Sequence, residues 1–164
     1  MKSVLLQTNI FTPKACVFTG HRGLEKDFSK RALKKAIETV IKAGVTTFYN
    51  GLACGFDLEA CEAVLKLKKK NPQLRLIGCV PCLEQSAYYA LDDQKRYEKI
   101  CKSLDEKVQV SSTYYYNGCM QKRNRYMCDR ADLMIAYCNR DKGGTASTVK
   151  YFQKTYPEKQ VIFI

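Results

Sequence analysis

The chain has 164 residues, a length that suits one globular domain and is short for two. Hydrophobic residues make up 46% of the sequence and aromatic residues 11%, which excludes a disordered, charge-dominated chain. The 28 lysine and arginine residues outnumber the 16 aspartate and glutamate residues, giving a net charge of +12. Such an excess favours anionic partners such as phosphates, nucleotides or nucleic acid, with a merely solvated basic surface as the alternative.

No apolar run approaches the roughly 20 residues that a membrane helix needs. The first eleven residues carry one lysine, a short apolar patch and no small-residue cleavage site, so they do not resemble a signal peptide. Nine scattered cysteines suit a reducing compartment better than a disulfide framework. We therefore expect a cytoplasmic protein with no membrane partner.

Short β-rich runs alternate with helical hydrophobic periodicity along the chain. We predict strands at 15–19, 45–49, 74–80, 107–110, 133–137 and 160–164, and helices at 28–43, 57–70, 94–104, 119–130 and 144–155. Residues 1–12 are expected to form an N-terminal extension or an edge strand, and residues 13–164 a single domain. Strand followed by helix, repeated five times, predicts an α/β fold: a doubly wound, mostly parallel sheet with helices on both faces.

Glycine, hydroxyl and basic residues follow the predicted strands at one edge of this sheet. Gly20, His21 and Arg22 follow the first strand, residues 51–57 follow the second, and residues 139–145 follow the fifth. In open parallel sheets, ligands bind outside the carboxyl ends of the strands. The sequence therefore predicts a ligand crevice at this edge.

The segment from Lys142 to Thr148 leads from a predicted strand into a predicted helix. Gly143 and Gly144 let the backbone approach a ligand, and the helix start offers free amide groups and the positive end of the dipole. The hydroxyls of Thr145 and Thr148 add donors. The segment predicts a phosphate site, with a tight loop and an ordinary helix cap as the alternative; its spacing is that of neither a P-loop nor GxGxxG.

The second glycine segment, at residues 51–57, reads GLACGFD. Gly51 and Gly55 permit tight turns and close approach of a ligand to the backbone. Asp57 either caps the helix that follows or binds a ribose hydroxyl.

Two basic segments complete the predicted site. Arg22 can pair with a phosphate, and the neighbouring His21, the one histidine of the chain, is either structural or part of the site. Arg123 and Asn124 either face the crevice or belong to a solvated basic helix face.

The remaining motifs predict neither a metal site nor a catalytic group. Cys79 and Cys82 form a CxxC motif without the second pair that a zinc site needs, so we expect no metal and no cofactor. The run from Tyr114 to Tyr116 either stacks on nucleobases or packs within a loop. No pair of carboxylates is placed for acid–base catalysis, and only Asp57 and Glu84 are expected near the crevice.

Five segments in this order, TGHR, GLACGFDLEA, VPCLEQ, QKRNRYM and GGTAST, resemble the SLOG superfamily from about residue 15 to the end of the chain. Within that superfamily they are most similar to the small, single-domain YpsA-like branch. The resemblance implies a Rossmann-like fold that binds a nucleotide or nucleotide-derived ligand, such as a nucleoside phosphate or an ADP-ribose-like molecule, as a sensor or regulatory module. The resemblance is also compatible with a homodimer.

The superfamily offers two alternative activities. LOG phosphoribohydrolases carry the motif PGGxGTxxE, whose glutamate falls here on Lys150 or on Thr148, depending on which glycines are aligned. That difference favours a binding protein over an enzyme; the enzymatic alternative is a nucleoside-monophosphate phosphoribohydrolase-like activity. The DNA-processing protein DprA carries GxAxGxD and RNR segments, which GLACGFD and the run from Arg123 to Arg125 resemble, and this implies single-stranded nucleic acid as an alternative partner.

Overall fold

Six strands alternate with five helices in the computed structural model, which describes residues 12–164. The strands are β1 (Ala15–Gly20), β2 (Thr47–Asn50), β3 (Arg75–Val80), β4 (Glu106–Gln109), β5 (Leu133–Tyr137) and β6 (Val161–Phe163). The helices are α1 (Lys30–Lys42), α2 (Phe56–Lys68), α3 (Leu91–Cys101), α4 (Cys119–Cys128) and α5 (Gly144–Thr155). The extension or edge strand predicted for the N-terminus lies outside the described residues, except for residue 12.

The strands form one sheet in the order β4-β3-β2-β1-β5-β6, and every pairing is parallel. The doubly wound α/β fold predicted from the sequence is therefore confirmed. The chain moves outward from β1 to β4 and then crosses back to place β5 on the other side of β1. The order reverses between β1 and β5, which is where sheets of this kind open a crevice at the carboxyl ends of their strands.

Both faces of the sheet are buried, as the continuous apolar strands require. Val17 and Phe18 are neighbours on β1, yet they belong to two different core clusters because successive side chains of a strand point to opposite faces. Phe18 stacks on Phe48 with the ring centroids 5.6 Å apart, in the cluster that includes residues of α1, α2 and α3. Val17 lies in the cluster that includes Phe152 of α5.

Several element boundaries differ from the predicted ones for local reasons. Helix α1 begins at Lys30 because Ser29 is its N-cap, with the Ser29 hydroxyl accepting a hydrogen bond from the Ala32 amide at 3.1 Å. Helix α3 begins three residues before the predicted start, so that two aspartates occupy its first turn, where the helix dipole favours negative charge. A short 3-10 turn at Gln85–Tyr88 was not predicted. In the described part of the chain, no helix has the length and apolar character needed to cross a bilayer.

Candidate functional site

A cleft of about 340 Å³ opens at the carboxyl ends of β1 and β5, and we call it the β1–β5 cleft. Its volume lies within the range of small-molecule sites. The segments that follow β1 and β5 form two of its walls, and α2 and α4 contribute the others. Nine residues predicted for the site line it: Gly20, His21, Arg22, Asp57, Arg123, Asn124, Gly143, Gly144 and Thr145.

The charges around the β1–β5 cleft are mostly positive. Arg22, Arg123, Arg140 and Lys142 line it, and Asp57 is the one carboxylate among the lining residues that the structure describes. The sequence analysis missed Arg140, which follows β5 at the same edge of the sheet. Arg140 forms an ion pair with Glu25, so the unpaired positive charge comes mainly from the other three residues. That charge suits an anion rather than a cation.

The amino end of α5 opens into the cleft. Gly143 precedes the helix with a φ of 101°, and Gly144 is its first residue. A side-chain carbon built at either glycine has no described atom within 4 Å, so the space beside this backbone is open. The first amide groups of a helix have no partner within it, and the first turn of α5 holds no acidic side chain to bind them. This segment therefore has the geometry for an anion.

Arg123 is buried, at 4% exposure, and it ties α4 to the ends of two strands. Its Nη1 donates hydrogen bonds to the carbonyl oxygens of Gly51 and of Cys79, the latter at 3.1 Å. Its Nε donates to Asn124 Oδ1 at 2.8 Å, and its Nη2 lies 3.7 Å from Met120 Sδ. The alternative prediction, that Arg123 belongs to a solvated basic helix face, is therefore wrong. Burial lowers the pKa of the Arg123 guanidinium, and the nearby Asp57 charge opposes that effect.

Asp57 is buried beneath the cleft and holds the loop before α2. Its Oδ2 accepts a hydrogen bond from the Ala53 amide at 3.2 Å. It does not cap α2, because the N-cap position belongs to Gly55. Burial raises the pKa of Asp57 to about 6, although the Arg123 charge and the Ala53 amide both act to lower it. The contact with a ribose hydroxyl stays a prediction.

Three of the predicted glycines make room for protein atoms. A side-chain carbon at Gly20 would collide with the Phe56 ring, and one at Gly55 would collide with the Arg22 carbonyl. One at Gly51 would lie 2.6 Å from Arg123 Cζ. Close packing against these groups thus explains why glycine occupies the three positions. The free space for a ligand beside a glycine backbone lies at Gly143 and Gly144 instead.

Thr148 is not among the described residues that line the cleft, but it hydrogen-bonds two that do, Gly144 and Asn124. Its hydroxyl donates to the Gly144 carbonyl at 2.8 Å and accepts a hydrogen bond from Asn124 Nδ2 at 3.0 Å. Asn124 in turn accepts from Arg123. A chain of hydrogen bonds therefore fixes the start of α5 relative to the buried guanidinium.

His21 joins the loops that follow β1 and β5. Its Nε2 accepts a hydrogen bond from the Asn139 amide at 3.1 Å, and its ring meets the Tyr137 ring edge-on. Because Nε2 accepts, the neutral ring carries its proton on Nδ1. Burial is the main cause that lowers the pKa of His21, and the Arg140 charge adds to it.

The CxxC cysteines are poorly placed for thiolate chemistry. Cys79 and Cys82 are both buried, and burial raises the pKa of Cys79 to about 12 and raises that of Cys82 as well. Reactive cysteines have lowered pKa values and partial exposure. Among residues 12–164, no cluster of three or more histidine, cysteine or acidic side chains is arranged to hold a metal ion.

A second groove adjoins the β1–β5 cleft, and Arg22 and Met120 line both. We call it the tyrosine groove, because Tyr88, Tyr114 and Tyr115 line it; its volume is about 740 Å³. The sequence analysis singled out the tyrosine run but missed the 3-10 turn that brings Tyr88 beside it. The available signal was the VPCLEQ segment, which follows β3 at the same edge of the sheet.

The chain has relatives among known sequences. The family model YpsA, described as the YspA SLOG family, matches residues 16–163. The chain is 32% identical over 130 residues to an uncharacterized SPbeta prophage-derived protein, YoqJ, of Bacillus subtilis strain 168, covering 73% of this chain and 76% of the relative. It is 25% identical over 131 residues to a UPF0398 protein of Bacillus cereus strain G9842, covering 79% and 70% of the two chains.

Two solved structures share the fold. One is DNA processing protein A from Helicobacter pylori, described for its single-stranded DNA binding mode, with a TM-score of 0.65, 21% identity and 93% of this chain covered. The other is DprA from Streptococcus pneumoniae, with a TM-score of 0.65, 18% identity and 92% of this chain covered. The match spans 65% and 50% of the lengths of those two chains.

Proposed function

Because this chain belongs to the YpsA family of SLOG proteins, we propose that it binds a nucleotide or nucleotide-derived ligand in the β1–β5 cleft and acts as a sensor or regulatory module. The ligand is a nucleoside phosphate or an ADP-ribose-like molecule. The observation that carries the proposal is the amino end of α5, which opens into a cationic cleft with free space at Gly143 and Gly144.

Each part of the cleft has a role in this proposal. A phosphate binds the amide groups of Gly144 and Thr145 at the start of α5, where the helix dipole favours an anion. Arg22 is exposed, lines the cleft and supplies a guanidinium that can pair with a phosphate. Arg123 adds a fixed positive charge from beneath, and the Asp57 carboxylate accepts a hydrogen bond from a ribose hydroxyl.

The test compares ligand-induced thermal stabilisation of the wild-type chain with that of Gly144→Leu. The panel holds AMP, ATP, NAD, ADP-ribose and a cyclic nucleotide. A ligand at about 100 times its Kd adds roughly 2.7 kcal/mol, which for a domain of this size raises Tm by about 5–11 °C. The leucine enters open space, so the unliganded Tm stays near that of the wild type while the shift is lost.

Ser147→Leu is the matched control, because Ser147 is exposed on the same helix and is not among the described residues that line the cleft. It should leave the ligand-induced shift unchanged. A wild-type chain that no nucleotide stabilises, or a Gly144→Leu variant with a full shift, would contradict the proposal.

Single-stranded DNA is a second candidate ligand. It is supported by the likeness to the Helicobacter pylori protein, by the net charge of +12 and by the exposed tyrosines beside the cleft. The two candidates differ in their salt dependence, since each phosphate neutralised on a single strand contributes about −0.7 to the slope of log K against log salt. An oligonucleotide that binds with a steep slope, while no mononucleotide binds, would replace the first proposal with the second.

A further inference from the structure

Asp57 and His21 line the β1–β5 cleft, and each has one side-chain polar atom without a hydrogen-bond partner. The two residues are 6% and 9% exposed. Asp57 Oδ2 accepts a hydrogen bond from the Ala53 amide, whereas Oδ1 accepts none from a described residue. His21 Nε2 accepts from the Asn139 amide, whereas the proton on Nδ1 has no acceptor among the described residues.

These two atoms are accessible although their residues are buried. In the described part of the chain, the one unpaired side-chain polar atom that is fully buried is Gln85 Oε1. Asp57 Oδ1 and His21 Nδ1 therefore keep some exposed surface, and the space beside both residues is the cleft that they line. Polar groups of buried residues are almost always paired, so the two atoms indicate a site that a ligand completes.

The segments that carry these two side chains are in direct contact. The Phe56 amide donates a hydrogen bond to the His21 carbonyl at 3.2 Å, and a side-chain carbon built at Gly55 would lie 2.8 Å from the same carbonyl oxygen. Asp57 follows Phe56 directly, and its side chain lines the same cleft of about 340 Å³ as the His21 ring. Neighbouring groups of one small ligand can therefore reach both side chains.

The two unpaired atoms have opposite hydrogen-bonding character. A carboxylate oxygen only accepts, whereas the Nδ1 group of the neutral imidazole only donates. The carboxylate repels a phosphate, and the charges of Arg123 and Arg22, which both act on Asp57, disfavour a cation beside it. A hydroxyl is uncharged and both donates and accepts, so two neighbouring hydroxyls of a sugar suit this pair of atoms.

We propose that Asp57 Oδ1 and His21 Nδ1 form a diol subsite, at which one ribose hydroxyl donates to the carboxylate and its neighbour accepts from the imidazole. The ligand is thus a ribonucleotide with free 2′- and 3′-hydroxyls. This class excludes deoxyribonucleotides and the internal residues of a nucleic acid strand, whose 3′-oxygen is esterified. The inference rests on the proposed function, because it assumes that the phosphate of the same ligand binds at the start of α5.

Calorimetric titration of the full chain with AMP, 2′-deoxy-AMP and 3′-deoxy-AMP at pH 8 tests the subsite. Burial raises the pKa of Asp57 to about 6, so the carboxylate is ionised at this pH. AMP should bind at least about tenfold more tightly than either deoxynucleotide, because each analogue leaves one polar atom of a buried residue unpaired. Inorganic pyrophosphate, which has no sugar, is the probe of the phosphate site alone.

Two variants assign the preference to these atoms. Asp57→Asn keeps an oxygen for the Ala53 amide but removes the charged acceptor, and it should reduce the preference for AMP over at least one deoxynucleotide to below about threefold. It should not weaken pyrophosphate, because the lost charge repels anions. His21→Gln keeps an acceptor for the Asn139 amide without a group at the Nδ1 position, and it should reduce the preference in the same way. Asp141→Asn is the matched control, because Asp141 is exposed and is not among the described residues that line the cleft; it should leave the preference unchanged.

The outcomes separate the two proposals. If AMP binds the wild-type chain no more tightly than one of the deoxynucleotides, the diol subsite is wrong, whereas binding of AMP itself still supports the proposed function. If both Asp57→Asn and His21→Gln keep the full preference, these two residues do not form the subsite. If neither a nucleotide nor pyrophosphate binds, the proposed function falls and the subsite falls with it. The wild-type comparison decides the inference even if a variant fails to fold.

Discussion

Replacing Arg123 by methionine should lower the free energy of unfolding, and the decrease should be larger at pH 8 than at pH 5. Methionine is unbranched and adapts to irregular core space, so it fills much of the arginine volume without its charge. The change removes the hydrogen bonds to the Gly51 and Cys79 carbonyls and to Asn124. It also leaves Asp57 without the buried positive charge that lowers its pKa.

The size of the effect depends on the charge of Asp57. Arg123 acts on Asp57 through its charge, which lowers the pKa of the carboxyl. Each unit by which that pKa rises in the variant adds about 1.4 kcal/mol to the loss at pH 8, where Asp57 is ionised in the wild type. With a rise of about one unit, we expect a total loss of about 2–4 kcal/mol at pH 8. At pH 5 the carboxyl, whose pKa is about 6, is mostly protonated. The loss then reduces to that of buried hydrogen bonds, about 1–3 kcal/mol.

Urea unfolding followed by circular dichroism at the two pH values measures the difference. At pH 8 the free energy of unfolding should fall by about 2–4 kcal/mol, against about 1–3 kcal/mol at pH 5. Arg123→Met in an Asp57→Asn background serves as the control, because the loss that it causes relative to Asp57→Asn alone should be nearly the same at both pH values. A loss below about 1 kcal/mol in the single variant, or an equal loss at pH 5 and pH 8, would refute the role of Arg123 as a buried partner of Asp57.

Two further predictions follow from single contacts. Gly20→Ala places a methyl group against the Phe56 ring and should lower the free energy of unfolding by about 1–3 kcal/mol. The control is Gly23→Ala, whose methyl group meets no described atom within 4 Å and should change that free energy by less than about 0.5 kcal/mol. Equal effects of the two substitutions would contradict the explanation of Gly20 by its packing against Phe56. The pKa of His21, read from the one imidazole signal of the chain by NMR, should lie below 6.5. Since burial lowers this pKa below its unfolded value, the stabilising contribution of neutral His21 is complete above about pH 6.5 and is lost as the pH falls; a measured pKa at or above 6.5 would contradict it.

The sequence determined the order and kind of the main elements. Hydrophobic periodicity depends on which face of a helix or strand is buried. Because both faces of this sheet are covered, its central strands are continuous apolar runs, and the runs at 133–137 and 74–80 could be predicted as strands. It also placed Gly143 and Gly144 at a helix start, because strand, glycine pair and helix follow one another along the chain. Periodicity did not predict the start of α3 at Leu91, shortly after the 3-10 turn at Gln85–Tyr88.

Only the tertiary structure decided what the individual polar residues do. Residue type and spacing could not separate a solvated Arg123 from a buried one, because its acceptors are the carbonyl oxygens of Gly51 and Cys79, which are 72 and 44 positions away along the chain. The same holds for Gln85, whose partner at Gly51 lies 34 positions away. Local sequence carries the pattern of burial, whereas the pairing of a buried polar group depends on the strand order that brings distant segments together.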